Sequence, residues 1–205
     1  LMDGAFELVK NIISYTENYI IENGIDKTIT FGVTTNGRHL TQDRIDLLVS
    51  NNVELRISLN GPQHIHDRYR HSKAGKPTFV EIASNLERLC KLNSDYYQRV
   101  GFVCVLTPPL DYKSVRDFFN NDPLVKGHNI VVSFLNMFDH RLPFNFDERQ
   151  FGVDTAAMYR DSIARFYSSA ISGTLDICSF EGALLMKNLS LLHIAQKEKG
   201  GLTIG

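Results

Sequence analysis

Residues 53–79 read VELRISLNGPQHIHDRYRHSKAGKPTF, and this stretch decides the predicted fold. It opens with alternating polar and apolar residues, and a period of two predicts a strand with one buried face. The strand is expected to end at Asn60-Gly61-Pro62, because glycine permits unusual backbone angles and proline cannot continue a central ladder. Ser58 and Asn60 therefore stand at its carboxyl end, which is where ligands bind in parallel sheets.

Strands and amphipathic helices alternate on both sides of this stretch. Helices are predicted over 3–22, 42–51, 79–92, 113–120, 154–171 and 179–196, and further strands over 28–35, 100–107 and 129–135. In the first helix, Ile12, Ile13 and Ile21 belong to an apolar set at helical spacing. Such alternation is typical of βαβ units with parallel pairing, so the predicted fold class is α/β.

The polar segment after the central strand carries His64, His66 and Asp67. Histidines of a helical zinc site stand four apart and need a third ligand elsewhere, and this spacing is different. The segment is therefore predicted to be a hydrogen-bonded loop, and no metal ligand is assigned. Thr78 and Glu81, three residues apart, predict a capping box at the start of the next helix.

The amino-acid composition is that of a globular domain and does not favour a nucleic-acid-binding or membrane protein. The chain has 205 residues, 43% of them hydrophobic and 22% charged, which predicts one sizeable core in one globular domain. A formal net charge of -1 gives no basic footprint for nucleic acid or a membrane surface. No apolar run approaches the ~20 residues of a membrane span, and no signal peptide is recognised, so a cytoplasmic location is predicted.

The three cysteines, Cys90, Cys104 and Cys178, lie far apart in the sequence. No pair has the close spacing of a metal or redox motif, so buried free thiols are predicted. Because the chain begins at Leu1 in the approach to a helix, it is interpreted as a fragment of a longer protein.

An ordered set of motifs spans residues 33–79. These motifs are Thr35-Asn36-Gly37, then Ser58-Leu59-Asn60-Gly61-Pro62, Ile65-His66-Asp67-Arg68-Tyr69-Arg70 and Gly75-Lys76-Pro77-Thr78-Phe79. The set resembles radical S-adenosylmethionine (radical SAM) enzymes, in particular the branch that modifies peptides and proteins and often carries a SPASM domain, such as sulfatase-maturing enzymes and maturases of ribosomal peptides. Asn60 and Pro77 depart from the pattern, which usually has Asp and Gly there.

The resemblance implies a partial (β/α)6 TIM-like barrel, incomplete in this chain. It implies that residues 1–136 form the central part of the barrel and that residues 137–205 form a loop and helical region completing or flanking it. In that family, a [4Fe-4S] cluster on a C-x-x-x-C-x-x-C loop cleaves S-adenosylmethionine to a 5'-deoxyadenosyl radical. This sequence lacks that loop, so the chain alone is expected to retain no cluster and, at most, to bind S-adenosylmethionine weakly.

The resemblance also implies site residues and partners. Thr35, Asn36, Ser58, Asn60 and Arg70 are expected to bind the cofactor, and no catalytic residue is assigned. Expected partners are a peptide or protein substrate and an electron donor, with substrate residues coming mostly from later strand ends and from residues 137–146; neither nucleic acid nor a membrane is expected.

Alternatives remain open at the level of the residues. Asn36-Gly37 is also a common turn pair, and Arg70 could form a surface ion pair instead of binding a carboxylate through its planar fork. A non-catalytic α/β domain that binds a nucleotide or a peptide is the alternative function.

Overall fold

The structure is a computed structural model, and it describes residues 3–135, 146–176 and 179–185. Within these ranges the helices are α1 (Asp3–Glu22), α2 (Gln42–Ser50), α3 (Gln63–Tyr69), α4 (Phe79–Leu92), α5 (Ser94–Gln98), α6 (Tyr112–Asn121) and α7 (Glu148–Ile171). The strands are β1 (Gly32–Thr35), β2 (Glu54–Ser58), β3 (Gly101–Leu106) and β4 (Ile130–Phe134). Residues 180–185 are also helical.

The four strands form one sheet in the order β1-β2-β3-β4. β1 pairs with β2 in parallel, with Gly32 opposite Glu54 and Thr35 opposite Ile57. Helices follow each of the first three strands and return the chain to the same end of the sheet. The predicted α/β fold is confirmed, and Thr35 and Ser58 end neighbouring strands at the same end of the sheet.

The chain divides into two compact units. Of the described residues, the first unit comprises 3–59 and 66–102, and the second comprises 60–65, 103–135, 146–176 and 179–185. Apolar side chains of β2, α2 and α4 form the core of the first unit, including Leu48, Ile57, Leu86 and Leu89. The core of the second unit includes Leu106, Val132, Met158 and the stacked rings of Phe119 and Phe180, whose centroids are 6.4 Å apart.

Several predicted boundaries differ from those in the structure. β1 covers only residues 32–35, because residues 28–30 are exposed and form no ladder despite their β-branched side chains. The predicted loop after β2 contains helix α3, and the short helix α5 was not predicted. α7 begins at Glu148 rather than at residue 154, since the Asp147 side chain caps it by accepting a hydrogen bond from the Gln150 N–H (2.9 Å).

The predicted capping box at α4 is wrong, although the predicted start of the helix is confirmed. Thr78 occupies the N-cap position and its side chain makes no capping hydrogen bond. Instead, Oδ1 of Asp67 accepts hydrogen bonds from the backbone N–H groups of Thr78 (2.9 Å) and Phe79 (3.0 Å). Glu81 pairs with Arg38 at 2.6 Å and so takes no part in the cap.

The apolar set predicted along α1 is only partly buried. Ile13 is 3% exposed, whereas Ile12 is 49% and Ile21 is 77% exposed. Among the free cysteines that the structure describes, Cys104 is buried as predicted and Cys90 is half-buried; Cys178 lies outside the described residues. None of the described helices is both long enough and apolar enough to cross a membrane.

Candidate functional site

A cavity of about 230 Å³ lies in the first unit, at the carboxyl ends of β1 and β2. It contains three of the predicted site residues, Asn36, Ser58 and Arg70. The full lining consists of Asn36, Arg38, Ser58, His66, Tyr69, Arg70, His71, Thr78 and Ile82. Thr35 and Asn60, the other two predicted residues, are not part of the lining.

The turn after β1 is held by its own side chains. Oγ1 of Thr35 accepts a hydrogen bond from the Gly37 N–H (3.3 Å), and Oδ1 of Asn36 accepts one from the Arg38 N–H (3.2 Å). Gly37 has a φ of +72°, and a Cβ there would stand 2.9 Å from Cγ2 of Ile57. Asn36 therefore stabilises the turn and also lines the cavity, so the two interpretations of this pair are compatible.

Asn85 of α4 fixes the same turn from outside. Its Nδ2 donates hydrogen bonds to the carbonyl oxygens of Gly37 (2.9 Å) and Arg38 (2.8 Å). Sequence reasoning did not identify Asn85. A polar residue at a half-buried helical position next to the apolar Leu86 is the signal that could have indicated such a role.

Asn60 has a structural partner in the second unit. It is 4% exposed, and its Oδ1 accepts a hydrogen bond from the backbone N–H of Val105 in β3 (3.2 Å). Gly61 has a φ of +128°, and a Cβ there would stand 3.1 Å from Cγ2 of Val115. The Asn60-Gly61 pair therefore serves packing beside β3, and a role for Asn60 toward the cofactor stays a prediction.

A buried histidine supports the cavity wall. His66 is fully buried, with Nε2 3.1 Å from Oγ1 of Thr78, and that hydroxyl donates to the carbonyl oxygen of Arg70 at 2.9 Å. Since the single hydroxyl proton goes to the Arg70 carbonyl oxygen, Nε2 of His66 is the donor to Oγ1 of Thr78. Burial lowers the pKa of His66 to about 4, and the positive charge of Arg70 acts in the same direction. Within the described ranges, no group of three or more His, Cys, Asp or Glu residues could hold a metal ion.

The charge of the cavity suits an anionic group. Arg38 and Arg70 line it, His66 is neutral, and no carboxylate is among its described lining residues. Guanidinium groups bind carboxylates through charge-assisted hydrogen bonds. Arg38 was not predicted as a site residue; its place directly after Thr35-Asn36-Gly37 is the signal that could have indicated it.

The second unit has a separate cavity of about 680 Å³ that contains none of the predicted site residues. Its lining includes Asp161, Arg165 and Glu181 together with several hydroxyl side chains. Arg165 donates to Asp161 at 2.8 Å, which lowers the pKa of Asp161, and Arg116 approaches both Asp161 (3.2 Å) and Glu181 (3.8 Å). These charges pair with one another and hold α6, α7 and residues 180–185 together. Residues 136–145, which include most of the predicted substrate loop, lie outside the described residues.

Comparisons with known proteins agree with the motif set. No family model matches the chain. The serine-type anaerobic sulfatase-maturating enzyme of Bacteroides thetaiotaomicron is 38% identical to it over 65 residues, which are 32% of this chain and 16% of that enzyme. The cysteine-type anaerobic sulfatase-maturating enzyme of Clostridium novyi is 27% identical over 92 residues, which are 45% of this chain and 24% of that enzyme.

Solved structures agree in fold. The histidine-tagged anSMEcpe with bound AdoMet superposes with a TM-score of 0.61 at 16% identity, over 82% of this chain and 44% of that one. The native anSMEcpe with bound AdoMet and Cp18Cys peptide gives a TM-score of 0.61 at 16% identity, over 82% of this chain and 45% of that one. The chain thus spans less than half the length of each protein. Over that part, its resemblance to peptide-modifying radical SAM enzymes and its barrel-type α/β fold are confirmed.

Proposed function

We propose that this chain is part of the barrel of a radical SAM enzyme that modifies a peptide or protein side chain. The observation that carries the proposal is the cavity at the carboxyl ends of β1 and β2, where Ser58, Asn36 and Arg70 meet. The relatives' names specify sulfatase maturation and, for one solved structure, bound AdoMet and a peptide. A peptide or protein substrate and an electron donor are therefore proposed as partners.

The cavity residues fit one part of S-adenosylmethionine. Ser58 and Asn36 offer neutral hydrogen-bonding groups for hydroxyls, and Arg70 offers a fork for a carboxylate. About 230 Å³ is less than the roughly 300–1,000 Å³ of sites that enclose a whole drug-sized ligand. This cavity would therefore hold one end of the cofactor, with Thr35 and Asn60 supporting the strand ends beside it.

S-Adenosylmethionine, held by Ser58, Asn36 and Arg70 beside a reduced [4Fe-4S] cluster, would supply the radical chemistry that removes a hydrogen atom from substrate. The chain's part is to hold and orient the cofactor and to exclude water from the reactive carbon. The described cysteines, Cys90 and Cys104, stand 14 positions apart and do not fit a cluster site. The cluster ligands are therefore proposed to lie in a part of the native protein outside this sequence, and a thiolate-bound cluster suits the reducing cytoplasm.

Replacing Ser58 by Ala tests the site. We expect Ser58→Ala to weaken S-adenosylmethionine binding several-fold, because one hydrogen bond contributes about 0.5–1.5 kcal/mol. The measurement is calorimetric titration of the anaerobic, cluster-loaded protein at its native length, together with a thermal melt.

Ser50→Ala is the matched control, since Ser50 lies outside the cavity and its hydroxyl donates to the Leu47 carbonyl at 3.1 Å. Unchanged affinity in Ser58→Ala would show that this strand end does not bind the cofactor. Affinity for nucleotides without any reductive cleavage in the native-length protein would favour a non-catalytic binding domain.

A further inference from the structure

We propose that Arg38 is a second guanidinium ligand, beside Arg70, for the carboxylate of the cofactor. This inference rests on the proposed function, and it concerns a residue outside the motifs of the sequence. Its basis is the way in which the structure holds Arg38 at the cavity while leaving part of its guanidinium available.

The backbone of Arg38 is fixed on both sides. Its N–H donates to Oδ1 of Asn36 (3.2 Å), and its carbonyl oxygen accepts from Nδ2 of Asn85 (2.8 Å). Asn85 also binds the preceding carbonyl, that of Gly37, at 2.9 Å. The main chain is therefore ordered before any ligand binds, so less conformational entropy is lost on binding.

The side chain is held by one nitrogen only. Nε of Arg38 donates to Oε2 of Glu81 at 2.6 Å, and the Arg38 side chain is 24% exposed. Its two Nη atoms make no hydrogen bond within the part of the chain that the structure describes, although Arg38 lines the cavity. The Glu81 contact thus orients the guanidinium plane, and the Nη edge keeps donors for a ligand.

The surroundings favour an anionic ligand over a neutral one. Arg38 and Arg70 both line the cavity, and the described lining contains no carboxylate. Glu81, which pairs with Arg38, is not itself part of the lining, and its side chain is 42% exposed to solvent. Glu81 offsets part of the charge of Arg38 through this ion pair, while Arg70 brings a second positive charge to the lining. Of the groups of S-adenosylmethionine, only the carboxylate is negative.

The test compares two ligands, of which only one has the amino-acid end that carries the carboxylate. S-Adenosylhomocysteine carries the amino-acid end, and 5'-methylthioadenosine lacks it. With the native-length protein, we expect Arg38→Gln to weaken S-adenosylhomocysteine binding by about tenfold, the effect of losing a charge-assisted hydrogen bond. Binding of 5'-methylthioadenosine should change by less than about twofold, since a neutral nucleoside end makes no use of the charge. Arg38→Lys should recover part of the loss, because it keeps the charge without the fork.

Arg56→Gln is the matched control, since Arg56 lies in β2, outside the cavity, with its side chain half exposed beside Glu54. It should leave both affinities unchanged. Equal losses for both ligands in Arg38→Gln, or no loss for either, would overturn the role of Arg38 while leaving the proposed function standing. A wild-type protein that binds neither ligand would overturn both proposals.

Discussion

His66 makes the stability of the first unit depend on pH. Its folded pKa of about 4 lies below the ordinary value of 6.5, so the unfolded chain binds more protons between these two pH values. The contribution of neutral His66 is fully present above pH 6.5 and is lost as the pH falls toward 4. We expect the free energy of unfolding to fall by up to about 1.4 kcal/mol per pH unit in this window. Urea unfolding at several pH values measures the slope.

The control separates His66 from the other titrating groups. His66→Gln should flatten the slope between pH 6.5 and pH 4, because glutamine does not titrate. Identical slopes in the wild type and in His66→Gln would contradict a neutral, hydrogen-bonded His66.

Asn60 stands where the related enzymes usually have Asp, and its contact explains why either residue can serve. Oδ1 accepts from the Val105 N–H, and a carboxylate offers the same acceptor. We expect Asn60→Ala to lower the free energy of unfolding by about 1–3 kcal/mol by leaving the Val105 N–H unpaired, and Asn60→Asp to lower it by less, because the carboxylate keeps the acceptor. Denaturant unfolding measures the free energy of unfolding of both variants. A larger loss of stability in Asn60→Asp than in Asn60→Ala would refute this account.

At the scale of elements, α4 takes its cap from another helix. Oδ1 of Asp67 in α3 accepts hydrogen bonds from the N–H groups of the N-cap residue Thr78 and of Phe79, the first residue of α4, and a helix has no partner of its own for either. We expect Asp67→Ala to lower the free energy of unfolding by about 1–2 kcal/mol. Glu81→Ala should lower it by less than about 1 kcal/mol, because Glu81 forms only a partly exposed ion pair. Thermal melts of the two variants compare these losses of stability. A larger loss in Glu81→Ala than in Asp67→Ala would support the capping box instead.

Sequence patterns suffice to predict some helices and strands of this chain but not others. The limits of α4 and the existence of β2 were predicted because their buried apolar residues recur at a constant period, although β2 ends at Ser58, just before the predicted break. The cap of α4 was mispredicted because Thr78 and Glu81 are close in sequence, while Asp67 reaches the helix only through the tertiary fold. α3 has too few apolar residues to show a period, so it looked like a loop.

For the whole molecule, the chain's cysteine content gives a further prediction. We expect anaerobic reconstitution of the 205-residue chain with iron and sulfide to leave no broad visible absorption, because Cys90, Cys104 and Cys178 lack the close spacing that brings thiolates to one cluster. Iron analysis after desalting is the second measurement. A stable cluster with stoichiometric iron would refute the assignment of cluster ligands to a part outside this sequence.

The position of the cavity could be predicted from the sequence, but the contacts that shape its wall could not, and the binding role of its residues stays a prediction. Ser58, Asn36 and Arg70 were identified because strand ends and their turn residues are visible in a single sequence. Arg38 and Asn85 were not, since their positions depend on contacts between a turn and a helix that lie 43 and 48 residues apart in the sequence. Such contacts leave no periodic trace in the sequence.

The two hydrogen bonds from Asn85 also bear on how this part of the chain opens and closes. An exposed turn between a strand and a helix would ordinarily fluctuate by itself, on a faster timescale than the elements beside it. Here residues 37 and 38 cannot leave their positions unless they separate from the middle of α4, whose neighbouring Leu86 is fully buried. The turn is therefore tied to α4 by these two bonds, and the cavity wall that carries Arg38 moves away from the helix only when both of them break.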